Sequence, residues 1–426
     1  MRILILLLGI LGWGCAHADL DITVTGGEAA AQPIAVVPFQ TSPGANFDVA
    51  QIVQDDLARS GLFNPLKRTD MLEKPTDPSQ VNYRDWRVLG MNDIVIGQEQ
   101  LVGNGVAVRF YLLDVFRQQQ LLGYQMPPSP PDQLRYVAHR IADMVYQKLT
   151  GTPGYFDTQI AYISGHGLGD ARTFKLIVCD SDGKYPRVIA ASKEPLMTPV
   201  WSPDRKQLAF VGYQRGRSAI YIDTLATGHL RKFSDEPGIN GAPAWSPDGK
   251  LLAVTLSYGY NPDIYIMNVA TGHKRRLTHS PAIDTESTWS PDGKTIAFTS
   301  DRGGTPQIYE MPVDGSSSPK RLTFQGKQNL RAQFSPNGKS LALVNYDGSE
   351  YRIGLLDLQT DALRILTDGP LDESPSFAPN GAVIIYSKRT SRGTELATVS
   401  VNGQVNQTIK ASGDIQEPAW SPFIQQ

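Results

Sequence analysis

Three rhythms of apolar and polar residues divide this chain. Ile3 to Leu11 is apolar except for Gly9. That run falls short of the about 20 apolar residues a membrane-spanning helix needs. Between residues 33 and 150 the pattern is mixed. Pro33–Pro38 reads as a buried strand, and Asp48 caps a helix whose Val49, Ile52, Val53 and Leu57 keep 3–4 spacing until Gly61. Asp93–Gly97, Gly105–Val115 and Gln118–Gln125 read as strands of one sheet. After the proline-rich Pro127–Pro131 a second helix carries Leu134, Val137, Ile141, Val145 and Leu149 along one face. Gly151–Gly154 then leads into a third rhythm, in which short alternating runs are separated by turn residues.

That third part is a repeat. An aromatic followed by Ser-Pro or Ala-Pro recurs at Trp201, Trp245, Trp289, Phe334, Phe377 and Trp420, at spacings of 44, 44, 45, 43 and 43 residues. In one unit, Ala242–Trp245 is a short strand and Ser246–Lys250 a tight turn. Leu251–Leu256, Asp263–Met267 and Lys274–Thr278 follow as three further strands. Proline presets φ and glycine supplies the positive φ that closes such a hairpin. Four antiparallel strands at this period make a propeller blade. Ahead of Trp201 stand only second, third and fourth strands, at Gln159–Ile163, Thr173–Cys179 and Pro186–Ala191. The first strand around Trp420 has no blade of its own, so it is expected to enter the first blade and close a ring of six. The fold class is thus α+β multidomain: a small N-terminal α/β domain, then a six-bladed β-propeller closed by its C-terminal strand. The expected bounds are 1–18 for a signal peptide, 19–32 for a partner-binding segment, 33–150 for the α/β domain and 151–426 for the propeller.

Composition narrows the function. The chain has 426 residues and a formal net charge of −2, which excludes general nucleic-acid affinity, since phosphates demand a basic surface. Met1-Arg2, the apolar run and Ala16-His17-Ala18 together form a signal peptide cleaved after Ala18. A lipoprotein reading of Cys15 is opposed by bulky Trp13 where a small residue is usual. With Cys15 removed, Cys179 is the only thiol, so no disulfide forms within the mature chain. No later stretch approaches a membrane span, so no direct membrane insertion is expected.

No nucleophile elbow, phosphate loop or metal-binding His-Glu-x-x-His is present. The five remaining histidines, His139, His166, His229, His273 and His279, are read as solvated, and Cys179 as a buried small hydrophobe. The six aromatics read as packing between blades, and the turn acids Asp204, Asp248 and Asp292 as partners of their own turns. The surfaces that remain are the channel mouths. Counting four and three residues back from each aromatic gives Met197-Thr198, Gly241-Ala242, Thr285-Glu286, Leu330-Arg331, Glu373-Ser374 and Gln416-Glu417. Loops on the same face add Arg215, Arg217, Arg302, Arg389 and Arg392. Acids, arginines and apolar groups in such a rim suit a docking protein. A cation site at Glu286, Glu373 and Glu417 is the weaker reading, because spacing does not show convergence. Asp19 to Thr25 alternates as a strand, read as one that adds to a partner's sheet, as an edge strand of its own domain or as a frayed terminus.

The leader, the α/β domain, the linker strand Gly154–Tyr162, the Trp-Ser-Pro-Asp-Gly-Lys repeats with Ile-Tyr strands, and termination at Trp420-Ser-Pro resemble the TolB family. These are the periplasmic propellers of the Tol–Pal envelope system. The resemblance implies a non-enzymatic, monomeric adaptor without cofactor or metal, supporting outer-membrane integrity and constriction at cell division. It implies that Pal, the peptidoglycan-associated lipoprotein, binds at the mouth through Met197, Thr198, Asn240, Ala242, Thr285, Glu286, Leu330, Arg331, Asp372, Glu373, Gln416 and Glu417. The family's Asn-Gly-Ala-Pro matches Asn240–Pro243, its Thr-Glu matches Thr285-Glu286 and its Leu-Asp-Glu matches Leu371–Glu373; Ile239 stands where histidine is common, and Leu330-Arg331 replaces a more polar pair. TolA would be engaged by Asp19, Leu20, Asp21, Ile22, Thr23, Val24 and Thr25, a stretch sequestered when Pal docks. The alternatives are a propeller binding a small ligand or carbohydrate, and an accessory domain of an exported peptidase.

Overall fold

Strand-forming runs punctuated by proline-led turns fold as six radial sheets in the computed structural model, which describes residues 21–24, 31–42, 47–258 and 261–424. The signal peptide, its cleavage site, Asp19, Leu20 and Thr25 lie outside the described residues. Blade 1 joins the late strand Asp414–Trp420 to Gln159–His166, Thr173–Asp180 and Arg187–Ser192. Antiparallel pairing of Trp420 with Ile160 and of Gln416 with Ile163 closes the ring as expected. Blades 2 to 6 are continuous, with innermost strands Leu196–Trp201, Asn240–Trp245, Asp284–Trp289, Gln328–Phe334 and Asp372–Phe377.

The turns behave as their residues dictate. In each Ser-Pro-Asp turn the aspartate accepts from the serine hydroxyl, at 2.6 Å for Asp204, Asp248 and Asp292. Between blades, the Trp201 and Trp289 indoles each donate to a neighbouring blade's backbone, at Ala419 and Ala244, both at 3.0 Å. Burial of the ring aromatics between blades stabilises each contact by about 1.5–3 kcal/mol per side chain.

The N-terminal part is one mixed sheet flanked by helices. Its strands run in the order Phe63–Pro65, Gln32–Val36, Asp93–Val102, Gly105–Asp114, Gln119–Gln125. Gln32–Val36 is parallel to both neighbours, the short strand Gln40–Thr41 also pairs parallel with Asp93–Val102, and the remaining pairs are antiparallel. Helix α1, Val49–Arg59, starts where Asp48 accepts from the Gln51 amide. Helix α2, Tyr83–Val88, is short, and α3, Leu134–Thr150, ends on Gly151 with φ 76°. Apolar faces of α1 and α3 share one core with Phe156, Ile160, Cys179 and Trp420 of blade 1 and Val383, Ile385 and Ile409 of blade 6. The sheet part is therefore packed onto the propeller's closing seam.

Two expectations are corrected here. His139 is not solvated: it is 3 % exposed and bonded through Nδ1 to Asp56 at 2.6 Å. The alternating segment Asp21–Val24 is not an edge strand of its own domain's sheet. It lies antiparallel along Val405–Ile409, the outer strand of blade 6, with Ile22 opposite Gln407. An unpaired outer strand offers backbone donors and acceptors to any extended chain within reach, and this one is covered from within the molecule.

Candidate docking mouth

Every innermost strand carries the same irregularity. Its register against the second strand shifts between Met197 and Val200, Gly241 and Ala244, Thr285 and Thr288, Leu330 and Gln333, Glu373 and Ser376, and Gln416 and Ala419. Inside each bulge one non-glycine residue takes positive φ: Thr198, Ala242, Glu286, Arg331, Ser374 and Glu417, from 44° to 57°. Left-handed backbone costs such a residue on the order of 1–3 kcal/mol, and it persists only where the surroundings demand it. Here the bulge re-aims the side chain, and all six line a central cavity of about 170 Å³.

Arg331 joins them. Its Nε donates to Glu286 Oε1 at 2.8 Å, one Nη to Ser374 Oγ at 2.6 Å and the other to Glu417 Oε1 at 3.0 Å. Glu417 also accepts from the Thr198 amide, and Glu286 from Thr299 Oγ1 at 3.0 Å. The network thus ties five blades across the channel, and Ala242 of blade 3 has no polar atom to add. Burial works against the Arg331 charge, yet Glu417 and Glu286 outweigh it and hold the guanidinium above its ordinary pKa. A guanidinium stands between two of the three acids of the cation reading, so Glu286 and Glu417 already have their counter-ion.

The residues one step further out face the mouth. Met197, Thr285 and Leu330 are half-buried, and Glu373 and Gln416 are exposed. Beside them a cavity of about 250 Å³ is lined by Glu373, Arg389, Gln416 and Ser387, whose buried hydroxyl has no partner. Arg215, Arg217, Arg389 and Arg392 are exposed, whereas Arg302 is spent on buried Asp284, at 2.8 Å to each carboxylate oxygen.

Two further sequence candidates do not reach the surface. Asn240 and Asp372 are 0 % exposed. The Asn240 amide accepts from Ser234 Oγ at 2.7 Å and donates to Glu236 O at 2.7 Å and Ser218 O at 3.1 Å, holding the loop beneath the mouth. Asp372 accepts from the Gly369 amide at 3.2 Å, and burial raises its carboxyl pKa. Both lie five positions before their aromatic, where the strand points into the blade.

Four exposed apolar residues on this face escaped the sequence reading as contacts: Leu168 at 88 %, Ile239 at 49 %, Ile283 at 46 % and Phe324 at 67 %. The available signal was a lone apolar residue in a turn-rich loop just before or after a strand. At the opposite mouth the aromatics and prolines line a cavity of about 490 Å³ with no charged side chain. Cys179 is 1 % exposed, and burial raises its thiol pKa, which removes it as a nucleophile. No helix among the described residues is long and apolar enough to cross a membrane.

Known proteins match both parts. A family model for the TolB amino-terminal domain covers residues 20–121, and one for the TolB beta propeller domain covers 146–424. The Tol-Pal system protein TolB of Alkalilimnicola ehrlichii is 50% identical over 415 residues, spanning 96% of this chain and 97% of that protein. Its counterpart in Methylococcus capsulatus is also 50% identical, over 97% and 96% of the two chains. The crystal structure of TolB from Acinetobacter baumannii superposes with a TM-score of 0.87 at 38% identity, covering 96% of this chain and 100% of that one. With both parts matched in order and half of all residues shared over nearly the full length, this chain belongs to the TolB family of Tol-Pal system proteins.

Proposed function

We propose that this chain is a non-enzymatic periplasmic adaptor that docks Pal at the propeller mouth and recruits TolA through residues 19–25. In that role it supports outer-membrane integrity and constriction during division. The observation that carries the reading is the mouth itself. Glu286, Ser374 and Glu417 are locked into a stiff ring by Arg331, while Leu168, Ile239, Ile283 and Phe324 stand exposed around it. Exposed apolar groups with a polar surround and a rigid floor suit a protein partner, because little ordering is lost when it binds. The relatives' shared assignment to the Tol-Pal system names the partners to test.

The partner's footprint is expected on Met197, Ile239, Thr285, Leu330, Glu373 and Gln416, with Asn240 and Asp372 acting beneath it. Glu286 is a poor probe of docking, since changing it also breaks the ring. Ile239→Asp combined with Glu373→Lys should weaken Pal binding at least about tenfold, as loss of a central contact typically does. Thermal melting should stay within about 2 °C, both sites being exposed. Titration calorimetry decides, and unchanged affinity would remove the mouth from the account. Deleting residues 19–25 should abolish TolA capture while Pal still binds; retained capture rules out the segment.

A further inference from the structure

At the seam between the α/β part and the propeller, a buried histidine stands among paired charges. Asp56 and Arg59 come from α1, Arg135 and His139 from α3, and Asp180 and Asp182 from the end of the third strand of blade 1 and the turn after it. Arg59 holds Asp56 at 2.9 Å and crosses to Ser181, at 2.8 Å to its hydroxyl and 3.0 Å to its carbonyl. Arg135 donates to Asp180 at 2.9 Å and also pairs with Asp182. Both of those carboxylates are therefore committed to a cation already.

Three carboxylates and two guanidiniums surround His139, with Arg205 further off toward Asp180 and Asp157. Its Nδ1 is 2.6 Å from Asp56 Oδ2 and its Nε2 is 3.9 Å from Asp180 Oδ2. That Nε2 is buried and has no hydrogen-bond partner. A neutral ring donating through Nδ1 would turn a bare lone pair toward a carboxylate, whereas an imidazolium presents a proton to each side. We propose that protonated His139 is a pH-responsive latch that holds the α/β part to the propeller and, through it, the N-terminal strand to blade 6.

The coupling is one hydrogen bond long. The Gln407 side chain donates to the Arg59 carbonyl, at the end of the helix that supplies Asp56. Gln407 is also the register partner of Ile22 in the strand that covers blade 6. Loosening Arg59 therefore loosens the strand on which residues 21–24 pair.

The direction follows from the surroundings. Burial disfavours the His139 charge, but Asp56 and, further off, Asp182 outweigh it, and the net pKa is raised above the ordinary 6.5. The latch is thus fully engaged below the ordinary value and is lost as pH rises through the raised one. Arg135 opposes the proton. The nearby acids Asp143 and Asp157 are lifted by burial to about 6 and about 7, while Asp182, despite its burial, is held at about 2 by Arg59 and Arg135. Asp143 and Asp157 titrate as well, so the variant lacking only the imidazole isolates the latch.

Hydrogen exchange on the full mature chain tests this, with rates corrected for the intrinsic pH effect. Amides of Val405–Ile409 and residues 21–24 should exchange at least about fivefold faster at about pH 8.5 than at about pH 6. In His139→Gln that pH dependence should shrink to the part left by Asp143 and Asp157. Asp56→Asn should lower the His139 titration midpoint read by histidine NMR, which keeps the test alive if the glutamine variant folds poorly. A His139 midpoint at or below 6.5, or an unchanged slope in His139→Gln, overturns the latch. So does protection that follows added zinc rather than pH. None of these outcomes depends on what binds the mouth.

Discussion

Arg331 is where one side chain decides what the channel holds. Glu286 and Glu417 converge on its guanidinium at 2.8 and 3.0 Å. Removing one member of a buried charge set leaves the others uncompensated, a loss of about 3–5 kcal/mol when burial is complete and less here, where Arg331 stays 30% exposed. Arg331→Ser should therefore lower the melting temperature by several degrees and leave two carboxylates that want a cation. Millimolar calcium should then recover part of that loss in the variant and leave the parent unchanged. Equal melting with and without calcium would show that the acids do not converge once the arginine is gone. Counting back from each aromatic placed Arg331 and its neighbours at the mouth, but a bulge is invisible to counting. One extra residue reverses which side chains face the channel, so Glu286 and Glu417 turned inward while Asn240 and Asp372 sank into the blade.

At the scale of elements, blades were legible because their turns use residues with one backbone preference each. The strand Leu251–Leu256 begins and ends where the Pro-Asp-Gly turn and the following polar loop place it. The helix Tyr83–Val88 and the strand Phe63–Pro65 were missed, since six and three residues are too few to show a period. The apolar face of α3 was read correctly, yet its second stripe was overlooked. Arg135, His139 and Asp143 recur every fourth residue and form the polar seam against blade 1. Closure rests on the strand ending at Trp420, whose indole donates to Thr158 Oγ1 at 2.8 Å and whose ring meets Tyr155 edge-on at 5.6 Å. Trp420→Ala should cost about 3–5 kcal/mol by the cavity it leaves. Chemical denaturation would register this as an earlier midpoint. A shift of less than about 1 kcal/mol would mean that backbone pairing alone closes the ring.

The whole molecule carries an unusual pH balance. Burial lifts Asp93 and Asp143 to about 6 and Glu99 and Asp157 to about 7. Each prefers its proton in the folded state, so each loses stability as pH rises from its unfolded value through its raised one. His139 adds a loss of the same sign at higher pH, while Asp182 favours folding above its low value of about 2. Melting temperature should therefore peak near about pH 5 and decline toward about pH 8, and a plateau across that range would contradict the burial of these acids. Order of synthesis matters at this scale too. The sheet begun by Gln159–His166 lacks its innermost member until Asp414–Trp420 arrives, some two hundred and fifty residues later. A chain emerging from its amino end thus carries an open circle with a bare inner border until Asp414–Trp420 is delivered.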